Sequence, residues 1–407
     1  MRVSAQQELT MSSFRIELAN FRALKRLDWS PEGVCLLSGA NGAGKTSAFD
    51  ALLFLRTLFT MGHEAAFGLV GAAALKHIGS EPKEPVELRL TVGELLWVVR
   101  LPMSAQGPKG TIGEELYWGK EKMFQAGMFQ EDWFVGELLY DDLGIQQDET
   151  GFADISPYLH RDERRACAKV VWDRGNNSWM APLANFLEDV RIYDSYSMSL
   201  VAEPQPNVAP SSVLHSSGKN LWAVLAAWKS SPIRFNGQYE WVLAEARKAF
   251  PGLLESIEFE RSLPYLYGRG AKSVEDSYPP SRAASGLLTG LLHLTAVAGA
   301  KPGSLLTFDE MENQLHPHAI RSILAAMRTQ AEERGLTILL STHSPVLLNQ
   351  FRDVPEQVFV LGHGRDDKPT PAPLTALFDE DWLAHSDLGV LYEQLAFSSP
   401  ILPRGAR

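Results

Sequence analysis

The stretch that decides the fold is GVCLLSGANGAGKTSAFDALLFLRTLF, residues 33–59. A short apolar run (33–38) leads into Gly39-Ala40-Asn41-Gly42-Ala43-Gly44-Lys45-Thr46, and a helical pattern opens at once with Thr46-Ser47. Strand, glycine loop and helix in that order are the context in which Gly-x-x-x-x-Gly-Lys-Thr binds phosphate. The glycines let backbone N–H groups converge on an anion with no Cβ in the way. Lys45 supplies a point charge for the β and γ phosphates, and Thr46 a hydroxyl for Mg²⁺. The helix that follows turns its N-terminus toward the anion. Gly39, Ala40, Asn41, Gly42, Ala43, Gly44, Lys45, Thr46 and Ser47 are therefore candidate ligands of ATP.

Two later stretches complete such a site. Leu305-Leu306-Thr307-Phe308-Asp309-Glu310 is an apolar strand that delivers two acids to its C-terminal edge, where ligands bind in parallel sheets. Asp309 is expected to hold Mg²⁺, directly or through water, and Glu310 to polarise the attacking water as general base. Ser341-Thr342-His343-Ser344-Pro345 follows the buried strand LTILLST, which places His343 to sense the γ-phosphate. The catalytic candidates are thus Lys45, Glu310 and His343, and the metal candidates Thr46 and Asp309.

Around these motifs the chain reads as α/β. Residues 14–29 alternate as two strands joined near Asn20, and 86–101 as a β-hairpin within a flanking antiparallel sheet. SGLLTGLLHLTAVAGA, GSLLTFDE, PHAIRSILAAMRTQAEERG and LTILLST alternate helix and buried strand, which implies a mainly parallel core sheet. LWAVLAAWK begins another helix, AEPQPNVAPSSVLHSS (202–217) an ordered loop, and DEDW (379–382) a solvated helix start. From 104 to 185 the pattern is mixed, with loops at GPKG, QQDETG and DRGNN. The basic RDERRACAK (161–169) reads as a solvated helix face or as a DNA contact. No sustained heptads predict a coiled-coil arm.

The 407 residues carry a net charge of −11, which argues against a globally basic nucleic-acid binder while leaving room for a local patch. Two cysteines, Cys35 and Cys167, exclude a disulfide framework and fit a reducing cytoplasm. No run is long and apolar enough to span a membrane, and the N-terminus has no signal-peptide core. Met11, just before the ordered pattern at Phe14, is a candidate start.

The three motifs, with Glu312-Asn313-Gln314-Leu315-His316-Pro317 after the acids, resemble the ABC-type ATPases of the SMC, RecF and OLD group. Within it the chain is most similar to the bacterial stand-alone ATPases of the AAA15/AAA21 type. NFRALKRLDW, FLEDVRIYD, LHSSGKNLWAVLA and LGVLYEQ carry that likeness through nearly the whole chain. The resemblance implies a P-loop ATPase head with a flanking antiparallel β-subdomain and a helical insert. The expected divisions are a flexible 1–13, a first half-head 14–103, an inserted region 104–275, a second half-head 276–365 and a tail 366–407.

It also implies a head-to-tail homodimer, or a higher homo-oligomer, in which each ATP is closed by a signature segment of the other copy. Ala283-Ala284-Ser285-Gly286 is the candidate segment. Anchored on Gly286, it has Ala284 where the group has serine. Ser285 then substitutes, or the backbone amides at the helix start suffice. Slow or partner-stimulated turnover is expected. The NFR segment lies near the nucleotide in that group, so Phe21 and Arg22 either touch base or ribose or are core and surface residues.

Three functions follow from the resemblance. The first is a regulatory ATPase that senses DNA or a foreign protein and controls a separately encoded effector, a nuclease or toxin, in bacterial anti-phage defence. The others are a DNA-repair ATPase of RecF type, and an ATP-dependent scaffold that hydrolyses weakly. Too few residues follow His343 for the nuclease domain of OLD-type enzymes.

Overall fold

The computed structural model describes residues 13–71, 74–104, 107–108, 112–129, 132–136, 152–154, 166–174, 178–204, 211–261, 263–362 and 371–394. Alternating residues build β1 (Phe14–Phe21) and β2 (Leu24–Trp29), antiparallel across a turn at 22–23, with Asn20 in the strand and Arg22 in the turn at φ of 60° and 49°. The apolar run becomes β3 (Val34–Gly39), buried at every residue, and α1 spans Lys45–Met61. Strands β4 (Val86–Val92) and β5 (Leu95–Leu101) form the expected hairpin.

Two sheets organise the chain. One has eight antiparallel strands in the order Phe152–Asp154, Asp132–Gly136, Glu121–Phe129, Ile112–Trp118, β5, β4, β1, β2. The other runs Arg191–Tyr193, Leu305–Phe308, Thr337–Ser341, β3, Val358–Leu361, Ala372–Pro373, parallel except for the last pair. This is the mainly parallel core with an antiparallel flank that the sequence predicts.

Both faces of the parallel strands are covered, which is why they read as unbroken apolar runs. Cys35, Leu37, Leu305, Leu339 and Leu361 face the core shared with α1 and the antiparallel sheet. Val34, Leu36, Leu306, Phe308, Ile338 and Leu340 face the helices Ser285–Ala298 and Pro317–Arg334. In α1, Phe49, Leu52, Phe54, Leu55, Leu58 and Phe59 are buried, each contributing at most about 1.5–3 kcal/mol. Helix Pro317–Arg334 ends where expected, at Gly335 with φ 61°.

The expected divisions do not follow the sheets. Within the expected mixed or helical region 104–275, the strands Ile112–Trp118, Glu121–Phe129, Asp132–Gly136 and Phe152–Asp154 extend the antiparallel sheet, because Ile112–Trp118 pairs along β5. Arg191–Tyr193 is an edge strand of the core. The presumed tail supplies Ala372–Pro373 to the same sheet and a helix, Leu388–Glu393, packed on Pro345–Leu348. DEDW is a helix start as read, with the Asp379 side chain accepting from the N–H groups of Asp381 and Trp382. Residues 1–12, the basic 161–165, and the loops GPKG, QQDETG and DRGNN lie wholly or partly outside the described residues, as does 205–210 of the loop at 202–217.

Candidate nucleotide site

Gly39 and Gly44 flank the loop after β3 where no side chain would fit. A Cβ on Gly39 would stand 2.3 Å from the Leu361 carbonyl oxygen, and one on Gly44 would stand 2.5 Å from Leu24 Cδ2. Gly44 caps α1 at φ 104° with no side-chain hydrogen bond, so the first-turn N–H groups remain available to an anion. Lys45 is 7% exposed, and its ammonium donates to the carbonyls of Gly39 (2.9 Å) and Ala40 (3.3 Å). Burial lowers its pKa, against the fields of Asp309, Glu310 and Glu312. Among the described residues no carboxylate forms an ion pair with it. A buried cation held only by carbonyls fits a phosphate ligand.

The strand Leu305–Phe308 lies between Arg191–Tyr193 and Thr337–Ser341, and its register sets Phe308 opposite Leu340. One step further, Asp309 meets Ser341. The Ser341 hydroxyl donates to Asp309 Oδ1 and accepts from the Glu310 N–H at 2.9 Å. Asp309 Oδ2 accepts from Thr46 Oγ1 at 2.9 Å, and the Asp309 N–H donates to the Tyr193 carbonyl at 3.0 Å. Hydroxyl and carboxylate oxygens brought together in this way suit Mg²⁺, a hard cation that keeps several waters.

Glu310 takes φ 49°, a region that costs a non-glycine residue on the order of 1–3 kcal/mol and recurs at functional sites. Besides Ser341, Asn313 Nδ2 holds it, donating to its Oε2 at 2.9 Å. Glu312 accepts from Thr342 Oγ1 (2.6 Å) and from the His343 N–H (3.1 Å); burial nevertheless raises its pKa. His343 Nδ1 lies 2.7 Å from the Tyr392 hydroxyl. Burial, then Lys45, lowers the ring pKa, so the imidazole is neutral at pH 7.

The structure thus brings Lys45, Thr46, Asp309, Glu310 and His343 to one edge of the core sheet. Ser285 and Gly286 stand elsewhere, at the start of helix Ser285–Ala298, where Ala284 is the N-cap and offers no side-chain bond. A Cβ on Gly286 would lie 2.6 Å from the Gln314 carbonyl oxygen, and Thr289 Oγ1 donates to Gln314 Oε1 at 3.3 Å. His293 ties the same helix to the Met311 carbonyl and to the Tyr196 hydroxyl, both at 3.0 Å. Helix Ser285–Ala298 is thus keyed to the turn after the acids.

Phe21 is fully buried with its ring against Phe54, so of its two readings the core one holds and base or ribose contact is excluded. Arg22 forms an ion pair with Asp50, one turn beyond Thr46 on α1. Burial pushes the Asp50 carboxyl up to about 6 despite Arg22. Ser341, Thr342, Glu312, Asn313 and Tyr392 were given no role from sequence. The first two stand in the quoted STHSP motif, and strand register would have found Ser341.

Residues 203–349 match the family model described as "AAA domain, putative AbiEii toxin, Type IV TA system". The DNA replication and repair protein RecF of Herpetosiphon aurantiacus is 36% identical over 69 residues, 17% of this chain and 18% of that protein. Over these two stretches the chain is similar to an AAA-type family and to a RecF protein. Its match spans only a small part of that relative's length. Among solved structures, the SMC head domain from Thermotoga maritima is 12% identical, with a TM-score of 0.38 over 82% of this chain and 90% of that one. An SmcHead bound to the C-winged helix domain of ScpA is 13% identical, with the same TM-score and coverage. Among the described residues, no helix is long and apolar enough to cross a membrane. Cys35 and Cys167 are both free and buried.

Proposed function

We propose that this chain binds ATP with Mg²⁺ between the Gly39–Ser47 loop and the Asp309–Glu310 pair, and hydrolyses it as a head-to-tail homodimer. The observation that carries this reading is the Thr46–Asp309 contact, which joins groups 263 residues apart as partners for one metal ion. Thr46 and Asp309 would hold the Mg²⁺, which would supply charge neutralisation to the phosphates. Lys45 exchanges its loop carbonyls for phosphate oxygens. Glu310, fixed by Ser341 and Asn313, takes the proton of the attacking water, and His343 donates to the γ-phosphate. Ser285 and the amides that open helix Ser285–Ala298 of the second copy close the site. Ala284 brings no hydroxyl, so the closure is weak and turnover slow or partner-stimulated.

Biologically, we assign the chain to a bacterial anti-phage system as the cytoplasmic sensor ATPase of a separately encoded nuclease or toxin. The toxin and toxin–antitoxin terms in the matched family's description support this. The RecF relative favours a second reading, DNA repair, against which the net charge of −11 weighs.

The test is steady-state ATPase activity with and without double-stranded DNA, alongside light scattering. Glu310→Gln should lower the rate by about 10²–10⁴-fold and accumulate an ATP-bound dimer, while Lys45→Ala should bind no nucleotide. A Glu310→Gln protein that stays monomeric in ATP would overturn the dimer. Stimulation by DNA would move the assignment toward repair.

A further inference from the structure

The segment 379–394 is fixed beside His343. Asp387 caps helix Leu388–Glu393, its carboxylate accepting from the Val390 N–H at 2.9 Å. Asn349 Oδ1 accepts from the Gly389 N–H at 2.8 Å, and Arg352 donates to the Ala384 carbonyl at 2.9 Å. A Cβ on Gly389 would lie 2.8 Å from the Pro345 carbonyl oxygen, so this helix sits directly on the Pro345–Leu348 helix that continues from His343. Tyr392 is therefore held in place, with its hydroxyl 2.7 Å from His343 Nδ1. His343 Nε2 has no hydrogen-bond partner among the described residues.

The two imidazole nitrogens point in divergent directions, so what Nδ1 bonds to decides where Nε2 faces and whether it carries the proton. The charges that act on the ring are Lys45, Glu310 and Asp309, which places it on the nucleotide side of the sheet. A neutral imidazole accepts well at its bare nitrogen, whereas a phenol is a good donor and a poor acceptor. Burial, then Glu312, raises the Tyr392 phenol above its ordinary value, so it keeps its proton. The opposite arrangement would turn a nitrogen lone pair toward phosphate oxygens, acceptor against acceptor.

We infer that Tyr392 is a positioning residue for ATP hydrolysis: its O–H donates to His343 Nδ1 and keeps the ring proton on Nε2, aimed at the γ-phosphate. The inference rests on the nucleotide-site reading above. It makes the C-terminal helix part of the switch, since any displacement of that helix frees the ring to change tautomer.

The experiment uses the full chain labelled with ¹⁵N-histidine, the His343 signals being identified by their loss in His343→Gln. Wild-type protein should show a pyridine-like Nδ1 and a pyrrole-like Nε2. Tyr392→Phe should show mixed tautomers and a kcat lower by on the order of 10-fold, with KM for ATP unchanged. A wild-type ring protonated at Nδ1, or a Tyr392→Phe protein with the wild-type tautomer, would overturn the inference. If the tautomer changes as expected but the wild-type chain hydrolyses no ATP, the hydrolysis reading fails, and with it the positioning role in hydrolysis, while the control of the His343 tautomer by Tyr392 stands.

Discussion

A single hydroxyl, that of Ser341, donates to Asp309 and accepts from the N–H of Glu310. It therefore orients the acid meant for the metal and the acid meant for water at once, and it holds Glu310 at φ 49°. In Ser341→Ala, Asp309 keeps Thr46, so nucleotide and metal should still bind. Glu310 loses the bond that fixes its backbone, and kcat should fall about 10- to 100-fold. Steady-state kinetics beside a nucleotide-binding titration check this. An equal loss in ATP affinity would mean that Ser341 acts through the metal instead. The motif STHSP was legible in the sequence as a run, but the work of its serine was not. That serine bonds residues 31 and 32 positions away, a relation created only when two parallel strands pair in one register.

Helix Ser285–Ala298 was legible from its apolar run, and its role in the sheet's cover follows from that run alone. What the sequence did not show is how tightly it is keyed to the turn after the acids, through Gly286, Thr289 and His293. His293 is buried among apolar side chains, and burial holds its ring at about 4 rather than the ordinary 6.5. The ring is neutral in the folded chain and free to protonate once unfolded. Below pH 6.5 the unfolded chain thus binds the extra proton, so stability is full above that value and falls as the pH drops toward 4. Between pH 7 and pH 5 the loss from this group is about 2 kcal/mol. Urea unfolding at the two pH values should show wild type losing that much more than His293→Gln. Equal losses would mean that the ring is hydrated or charged in the folded state.

At the scale of the whole molecule, the proposed dimer brings together two copies that each carry a net charge of −11. Repulsion between like-charged bodies is screened over about 8 Å at physiological salt and over about 30 Å at 0.01 M. The ATP-bound Glu310→Gln dimer should therefore tighten as salt rises from low to physiological concentration, the reverse of what phosphate-backbone binding shows. Sedimentation across a salt series measures it, and a dimer that loosens with salt would show that local complementary charges govern the interface. By itself the sequence determined the strand, glycine loop and helix at 33–59, the strand that ends in two acids, the strand before His343 and the α/β class. Each is written in contiguous residues whose spacing alone dictates strand, loop and helix. The tertiary structure alone decided that the strands from Ile112–Trp118 to Phe152–Asp154 extend the antiparallel sheet, that Arg191–Tyr193 edges the core, and that Tyr392 reaches His343. These are contacts between segments far apart in the chain, and local periodicity carries no information about which distant partner a strand or helix will meet.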